Sequence, residues 1–155
     1  ILCSAKGMGN GIPIGAMLTT DKVAQNMIVG MHGSTYGGNP LACAVSKEVF
    51  EIISKKSFLK GVLEKEKLFL SLLNEMNKKV AVFSEISSSG LWFGLNIDDT
   101  SKLTLANLMQ ASYKEGLMIL KANNNTVRLA PSLNISKNDI ERGVKKLEKA
   151  ILSLV

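Results

Sequence analysis

Apolar residues fill two short runs near the start of the chain, over 1–5 and 13–20, and the pattern predicts two short buried strands. Between them Lys6-Gly7-Met8-Gly9-Asn10-Gly11 places glycine at alternate positions, so the backbone can bend tightly with a lysine at the bend. Further on, Leu41, Val45, Val49, Ile52 and Ile53 recur at helical spacing and predict a helix from residue 40 to about 54. Its start is marked by Asn39 as N-cap and Pro40 at the first helical position. A longer helix is predicted over 58–77, where Phe58, Val62, Phe69, Leu72, Leu73 and Met76 form one stripe and lysines and glutamates occupy the rest.

Beyond residue 80 the elements become shorter. Strands are predicted over 80–86 and 90–97, a helix over 103–115 stopped by Gly116, and a strand over 117–122. Asn123-Asn124-Asn125 has turn chemistry, and residues 127–130 make one more strand before Pro131. The last helix opens with Ser136 and, three residues on, Asp139, a capping box, and Ile140, Val144, Leu147, Ile151 and Leu154 form its stripe. These patterns place a boundary near residues 77–79. Residues 79–155 read as a compact α+β unit, and residues 1–78 as a piece of a larger sheet that leaves apolar surface uncovered.

Composition narrows the class. With 46% hydrophobic and 21% charged residues, 13 Gly and 3 Pro, the chain is neither disordered, collagen-like nor disulfide-scaffolded. Its 155 residues allow one ordinary domain. The longest apolar runs, such as 12–18, fall short of the roughly 20 residues that cross a bilayer, and a cytoplasmic location is expected. Cys3 and Cys43 share no metal-ligand spacing and His32 is the single histidine, so no metal site is expected. Nineteen Lys and Arg against thirteen Asp and Glu give +6. The lysines are scattered over helix faces without aromatic platforms, which reads as a basic solvated surface rather than a nucleic-acid site. Ile1, standing inside an apolar stretch, reads as a cut end.

Three places offer chemistry. The loop after Lys6 fits neither the dinucleotide fingerprint nor the P-loop order. What remains is a lysine at a strand end with no bulky neighbours, either a partly desolvated nucleophile toward a carbonyl group or an ordinary solvated turn residue. Ser34, Thr35 and Tyr36 put hydroxyls beside glycines and just before a helix N-terminus, either an anion site or a plain capped helix start. Arg128 is the one cation in Val127-Arg128-Leu129-Ala130-Pro131. Its planar fork suits a ligand carboxylate or an internal Asp or Glu. Trp92, Phe93 and the methionines read as core or interface packing.

Taken together, the runs from Ala5 to Ala16, from His32 to Ala44 and from Val127 to Leu133 resemble class-III pyridoxal-phosphate aminotransferases, most closely the acetylornithine/succinylornithine group. The resemblance covers the C-terminal part of that family. It implies an α/β fold of the fold-type I class, with the tail of the large cofactor domain over 1–78 and the small α+β domain over 79–155. It also implies that Lys6 holds pyridoxal 5'-phosphate and moves the substrate proton, that Thr35 binds the cofactor phosphate across a homodimer interface, that Ser34 touches the acylated substrate, and that Arg128 pairs with the α-carboxylate. The reaction implied is transamination of N2-acetyl-L-ornithine with 2-oxoglutarate in arginine biosynthesis. Succinylornithine, ornithine or 4-aminobutyrate are the other substrates of the class. A different class, a non-catalytic basic binding module, predicts steeply salt-dependent nucleic-acid binding.

The sequence also departs from the family. The glycine-rich phosphate cup, the ring-stacking aromatic and the aspartate that partners the pyridine nitrogen stand upstream of the lysine in that family, so these 155 residues alone are expected to turn over little or no substrate. Ser87-Ser88 replaces the family's Arg-Gly ahead of Gly90 and Gly94.

Overall fold

A computed structural model describes residues 1–123 and 125–155. They fall into two compact units, Ile1–Leu59 and Lys60–Val155.

In the first unit, strands β1 (Leu2–Ser4) and β2 (Ala16–Leu18) pair antiparallel with Leu2 opposite Leu18 and Ser4 opposite Ala16. The chain leaves β1 through a single 3-10 turn over Lys6–Gly9. Helix α1 is one turn, Asp21–Ala24, too short for any periodic signal, and the sequence pattern misses it. Helix α2 runs over Pro40–Ile53 as expected, and the Asn39 side chain accepts from the Ala42 N–H at 3.1 Å. It packs against the Lys6–Gly9 turn. Ala42 and Ser46 are buried, whereas Leu41, Phe50 and Ile52 are exposed. The expectation of buried strands fails within this unit: Leu2 is 61% exposed and Leu18 58%. A two-stranded hairpin has too few partners to cover both faces. The uncovered apolar surface read from the sequence is present.

The second unit is a four-stranded antiparallel sheet in the order β3-β4-β6-β5, from β3 (Phe83–Ser89), β4 (Trp92–Ile97), β5 (Leu120–Asn123) and β6 (Thr126–Leu129). Alternation decides its faces. Phe93 and Leu95 of β4 pair with Leu129 and Val127 of β6, and all four are buried. Gly94, Asn96, Thr126 and Arg128 take the opposite face. The turn expected at 123–125 takes in Asn124, which lies outside the described residues, and Asn123 belongs to β5. Helix α4 (Leu105–Lys114) is capped by Thr104, whose hydroxyl accepts from the Asn107 N–H, and stops where Gly116 adopts φ 68°. Helix α5 (Lys137–Leu152) starts with the expected Ser136 cap, Ser136 Oγ accepting from the Asp139 N–H at 3.0 Å, but the Asp139 carboxylate accepts from the Ser136 hydroxyl at 2.7 Å rather than from its backbone N–H as a capping box requires. Ile140, Val144, Leu147 and Ile151 are buried, while Leu154 lies past the helix end and is exposed.

The division between units differs from the one drawn near residue 78. Helix α3 (Lys56–Val80) buries Val62, Phe69, Leu73 and Met76, and the Phe69 ring lies 4.5 Å from that of Phe93. From Lys60 on, this helix therefore belongs to the core of the second unit. An amphipathic stripe announces that a helix is buried, but not against which sheet. Asn77 ties helix to strand, its amide donating to the Phe83 carbonyl at 2.8 Å and accepting from the Phe83 N–H at 3.0 Å. This junction delays β3 to Phe83. Of the two aromatics on β4, Phe93 is fully buried and Trp92 is exposed. Among the described residues no helix is long and apolar enough to cross a membrane.

Candidate functional site

Lys6 follows Ala5, which is fully extended, and itself adopts φ 54°. A side-chain-bearing residue in the left-handed region costs about 1–3 kcal/mol and persists where surrounding contacts over-determine it. Three backbone hydrogen bonds hold the turn: Met8 N–H to Ala5 O at 3.1 Å, Asn10 N–H to Gly7 O at 3.2 Å and Ile12 N–H to Gly9 O at 3.0 Å. Among the described residues the Lys6 amine has neither hydrogen bond nor ion pair, and the residue is exposed. The desolvation weighed for it from the sequence is thus not supplied by these residues.

Ser34 and Thr35 lie in the exposed stretch before α2. Ser34 Oγ accepts from the Gly37 N–H at 3.0 Å, and a Cβ on Gly37 would stand 3.2 Å from that oxygen, so the glycine permits the turn. The Ser34 hydroxyl hydrogen remains free to donate, and Thr35 makes no side-chain bond among the described residues. The capped helix start is present, since Asn39 satisfies the Ala42 N–H. No bond joins Lys6 to Ser34 or Thr35 among the described residues, although all three belong to one unit.

Arg128 sits on β6 in the second unit, opposite Gly94 on β4 and Leu120 on β5. Its Nε is buried and without a hydrogen-bond partner, and no carboxylate pairs with the guanidinium among the described residues. Of the two partners left open by the sequence, the internal one is absent there. Arg128 also lines a mainly apolar cavity of about 250 Å³ with Phe69, Leu120, Pro131, Asp139 and Leu147. Asp139 is already engaged, by Arg142 at 2.6 Å and by Ser136. Of the pair that replaces Arg-Gly, Ser87 on β3 faces Gly94 and donates to its carbonyl at 3.4 Å, and Ser88 donates to the Glu66 carboxylate of α3 at 2.8 Å. Among the described residues no group of His, Cys, Asp and Glu is placed to hold a metal.

An exposed amine on a strained turn, two hydroxyls beside a helix start and an unpaired guanidinium can hold a carbonyl compound, a phosphate and a carboxylate respectively. Comparison with known proteins narrows that chemistry. Over all 155 residues the chain is 49% identical to the acetylornithine aminotransferase of Vibrio vulnificus, and it spans 38% of that protein's length. It is 43% identical, over the whole chain and 38% of the relative, to the acetylornithine/succinyldiaminopimelate aminotransferase of Yersinia pestis. Among solved structures, acetylornithine aminotransferase from Elizabethkingia anophelis superposes with a TM-score of 0.84 at 30% identity, over 98% of this chain and 38% of that one. The family "Aminotransferase class-III" matches residues 1–151, a stretch that takes in Lys6, Ser34, Thr35 and Arg128, and the chain belongs to that family.

Proposed function

We propose that these residues take part in pyridoxal-phosphate-dependent transamination of N2-acetyl-L-ornithine with 2-oxoglutarate, giving N-acetyl-L-glutamate 5-semialdehyde and L-glutamate, a step of arginine biosynthesis. The observation that carries the reading is Lys6: an exposed amine on a left-handed turn, without a partner among the described residues, within a chain 49% identical to an acetylornithine aminotransferase.

The side chains fit the cofactor. Lys6 offers the amine that would hold it, and Thr35 offers its phosphate a hydroxyl without a partner among the described residues. When bound, pyridoxal phosphate supplies the electron sink that lets a proton leave the α-carbon of an amino acid. Lys6 Nζ would take that proton as base and return it as acid. Arg128 would orient the substrate through its α-carboxylate, and its orphaned Nε supports that role because no carboxylate among the described residues pairs with the guanidinium. Ser34 would touch the acylated end of the substrate. In this reading the enzyme is a cytoplasmic homodimer, Thr35 reaches the phosphate of the cofactor whose carbonyl group the neighbouring subunit's lysine would hold, and the unit Lys60–Val155 takes the place of the small domain.

Lys6, Ser34 and Thr35 are all exposed, so the residues of this chain do not themselves exclude water from the reacting groups. The 155 residues alone are expected to turn over little. The test is therefore a graft, in which the chain replaces the matching segment of the Vibrio vulnificus relative. The graft should transaminate acetylornithine in preference to ornithine, succinylornithine and 4-aminobutyrate, and Lys6→Ala should abolish turnover. Undiminished turnover in Lys6→Ala would overturn the reading. A second substrate, succinyldiaminopimelate, is favoured by the name of the Yersinia pestis relative, and the same graft tests it.

A further inference from the structure

The glycines of the lysine turn look alike in the sequence, but the structure separates them. A Cβ added at Gly7 or Gly11 would meet nothing within 4 Å. At Gly9, the one buried residue of the turn, it would stand 2.7 Å from Ile14 Cγ2, with Ile12 Cβ at 3.7 Å and Ile14 Cβ at 3.9 Å. Ile14 is β-branched and stiff at χ1, so that methyl cannot swing aside cheaply.

The contact bears on Lys6 through a short path. Gly9 closes the 3-10 turn that Lys6 opens, and its carbonyl accepts the Ile12 N–H that brings the chain back toward Ile14. Helix α2 packs on the same turn. The left-handed φ of Lys6 is a strained state that must be imposed from outside the residue. Ala5 ahead of it is extended and the side chain beyond is solvated, so the imposing contacts are those of the turn floor.

We propose that Gly9 is a positioning residue for the Lys6 amine: the missing Cβ lets the Ile14 side chain seat directly on the turn and hold Lys6 in its left-handed conformation. The proposal rests on the reading of Lys6 as the cofactor-holding amine. It makes Ile14 the matching half of the lock.

The 155-residue chain is treated with pyridoxal phosphate, reduced with borohydride, and the pyridoxyl label is mapped by peptide mass. Lys22 and Lys47 of the same unit serve as internal references. The parent chain is expected to label Lys6 above both, and Gly7→Ala to leave that ratio unchanged. Gly9→Ala should lower the Lys6 ratio severalfold, and Gly9→Ala/Ile14→Ala should restore it, because with the clashing methyl gone the added Cβ stands an ordinary 3.9 Å from the Cβ at position 14 and remakes the contact that Ile14→Ala alone lacks. An unchanged ratio in Gly9→Ala, or an equal loss at all three lysines without restoration, would overturn the proposal. Where Gly9→Ala does not fold, Ile14→Ala alone carries the test, since opening the lock from its other side must also lower the ratio.

A parent chain with no preference for Lys6 would count against the cofactor reading instead. Gly9 is then judged by amide exchange at Met8 and Asn10, whose N–H groups close the turn. Faster exchange in Gly9→Ala, reversed in the double variant, supports the lock, and unaltered exchange refutes it.

Discussion

Replacing Arg128 by methionine separates two energies that ordinarily travel together. Methionine keeps an unbranched chain on β6 but removes the guanidinium. Were Arg128 half of a buried ion pair, deleting it would strand a carboxylate and cost about 3–5 kcal/mol of stability. The structure contains no such partner among its described residues, and the Nε of Arg128 is buried and unbonded. Removing an unsatisfied buried N–H recovers up to about 1–3 kcal/mol, so stability should hold or rise. The sign is thus opposite for the two cases. The assay is amide hydrogen exchange of β4 and β6, whose buried ladder from Phe93–Leu129 to Leu95–Val127 reports opening of the second unit by itself. Carboxylate recognition should move the other way. Charge-assisted hydrogen bonds of about 1.5–3 kcal/mol correspond to roughly 10- to 150-fold, read as a rise in KM for glutamate in the grafted enzyme. Destabilisation of the second unit by more than about 3 kcal/mol would show that the guanidinium is held internally and refute the argument.

Three further outcomes concern the scaffold. Phe93→Ala should destabilise the second unit by about 3–5 kcal/mol, and a double-mutant cycle with Phe69→Ala in denaturant unfolding should show about 0.5–1.5 kcal/mol of coupling; strict additivity would deny the ring contact. Ser136→Ala should cost about 1 kcal/mol in the same measurement and Ser136→Gly only a few tenths, because glycine tolerates the cap geometry; equal losses would contradict the capping account. The Thr100 hydroxyl, and then its backbone N–H, donate to the exposed Asp98 carboxylate and hold its pKa below the ordinary aspartate value. Because the folded value is the lower one, this contribution is present above the unfolded pKa and is lost as pH falls through the folded one. In an NMR titration Thr100→Val should move Asp98 back up, and an unmoved midpoint would dismiss the hydroxyl's part.

What could be read along the chain follows from how local each signal is. The caps at Asn39 and Ser136 were legible because a side chain and the N–H it serves lie three residues apart. The alternation of Phe93, Leu95 and Ile97 likewise marks the face of β4 before its partners are known. The three motif runs identified the family, since Lys6, the Ser34–Thr35 pair and Arg128 each stand in a recognisable string. Helix α1 left no mark, because a single turn has no period.

Tertiary structure decided what depends on partners distant in sequence. The stripe of α3 shows that this helix is buried, but only the approach of Phe69 to Phe93 assigns it to the second unit. Uncovered apolar surface over the first unit was legible in the sequence, but not that it includes the strands β1 and β2, read there as buried, because burial is a property of neighbours rather than of the residue. Nor did Arg128 disclose in sequence that no carboxylate among the described residues meets it. The glycines around Lys6 are equivalent as letters, yet only Gly9 faces a methyl at 2.7 Å from the place its Cβ would occupy. By itself the sequence determined the longer helices, the faces of β4 and the chemical groups of this protein, all of them local; which helix covers which sheet, which charge lacks a partner among the described residues and which glycine bears a contact are relations between distant residues, and these only the fold could set.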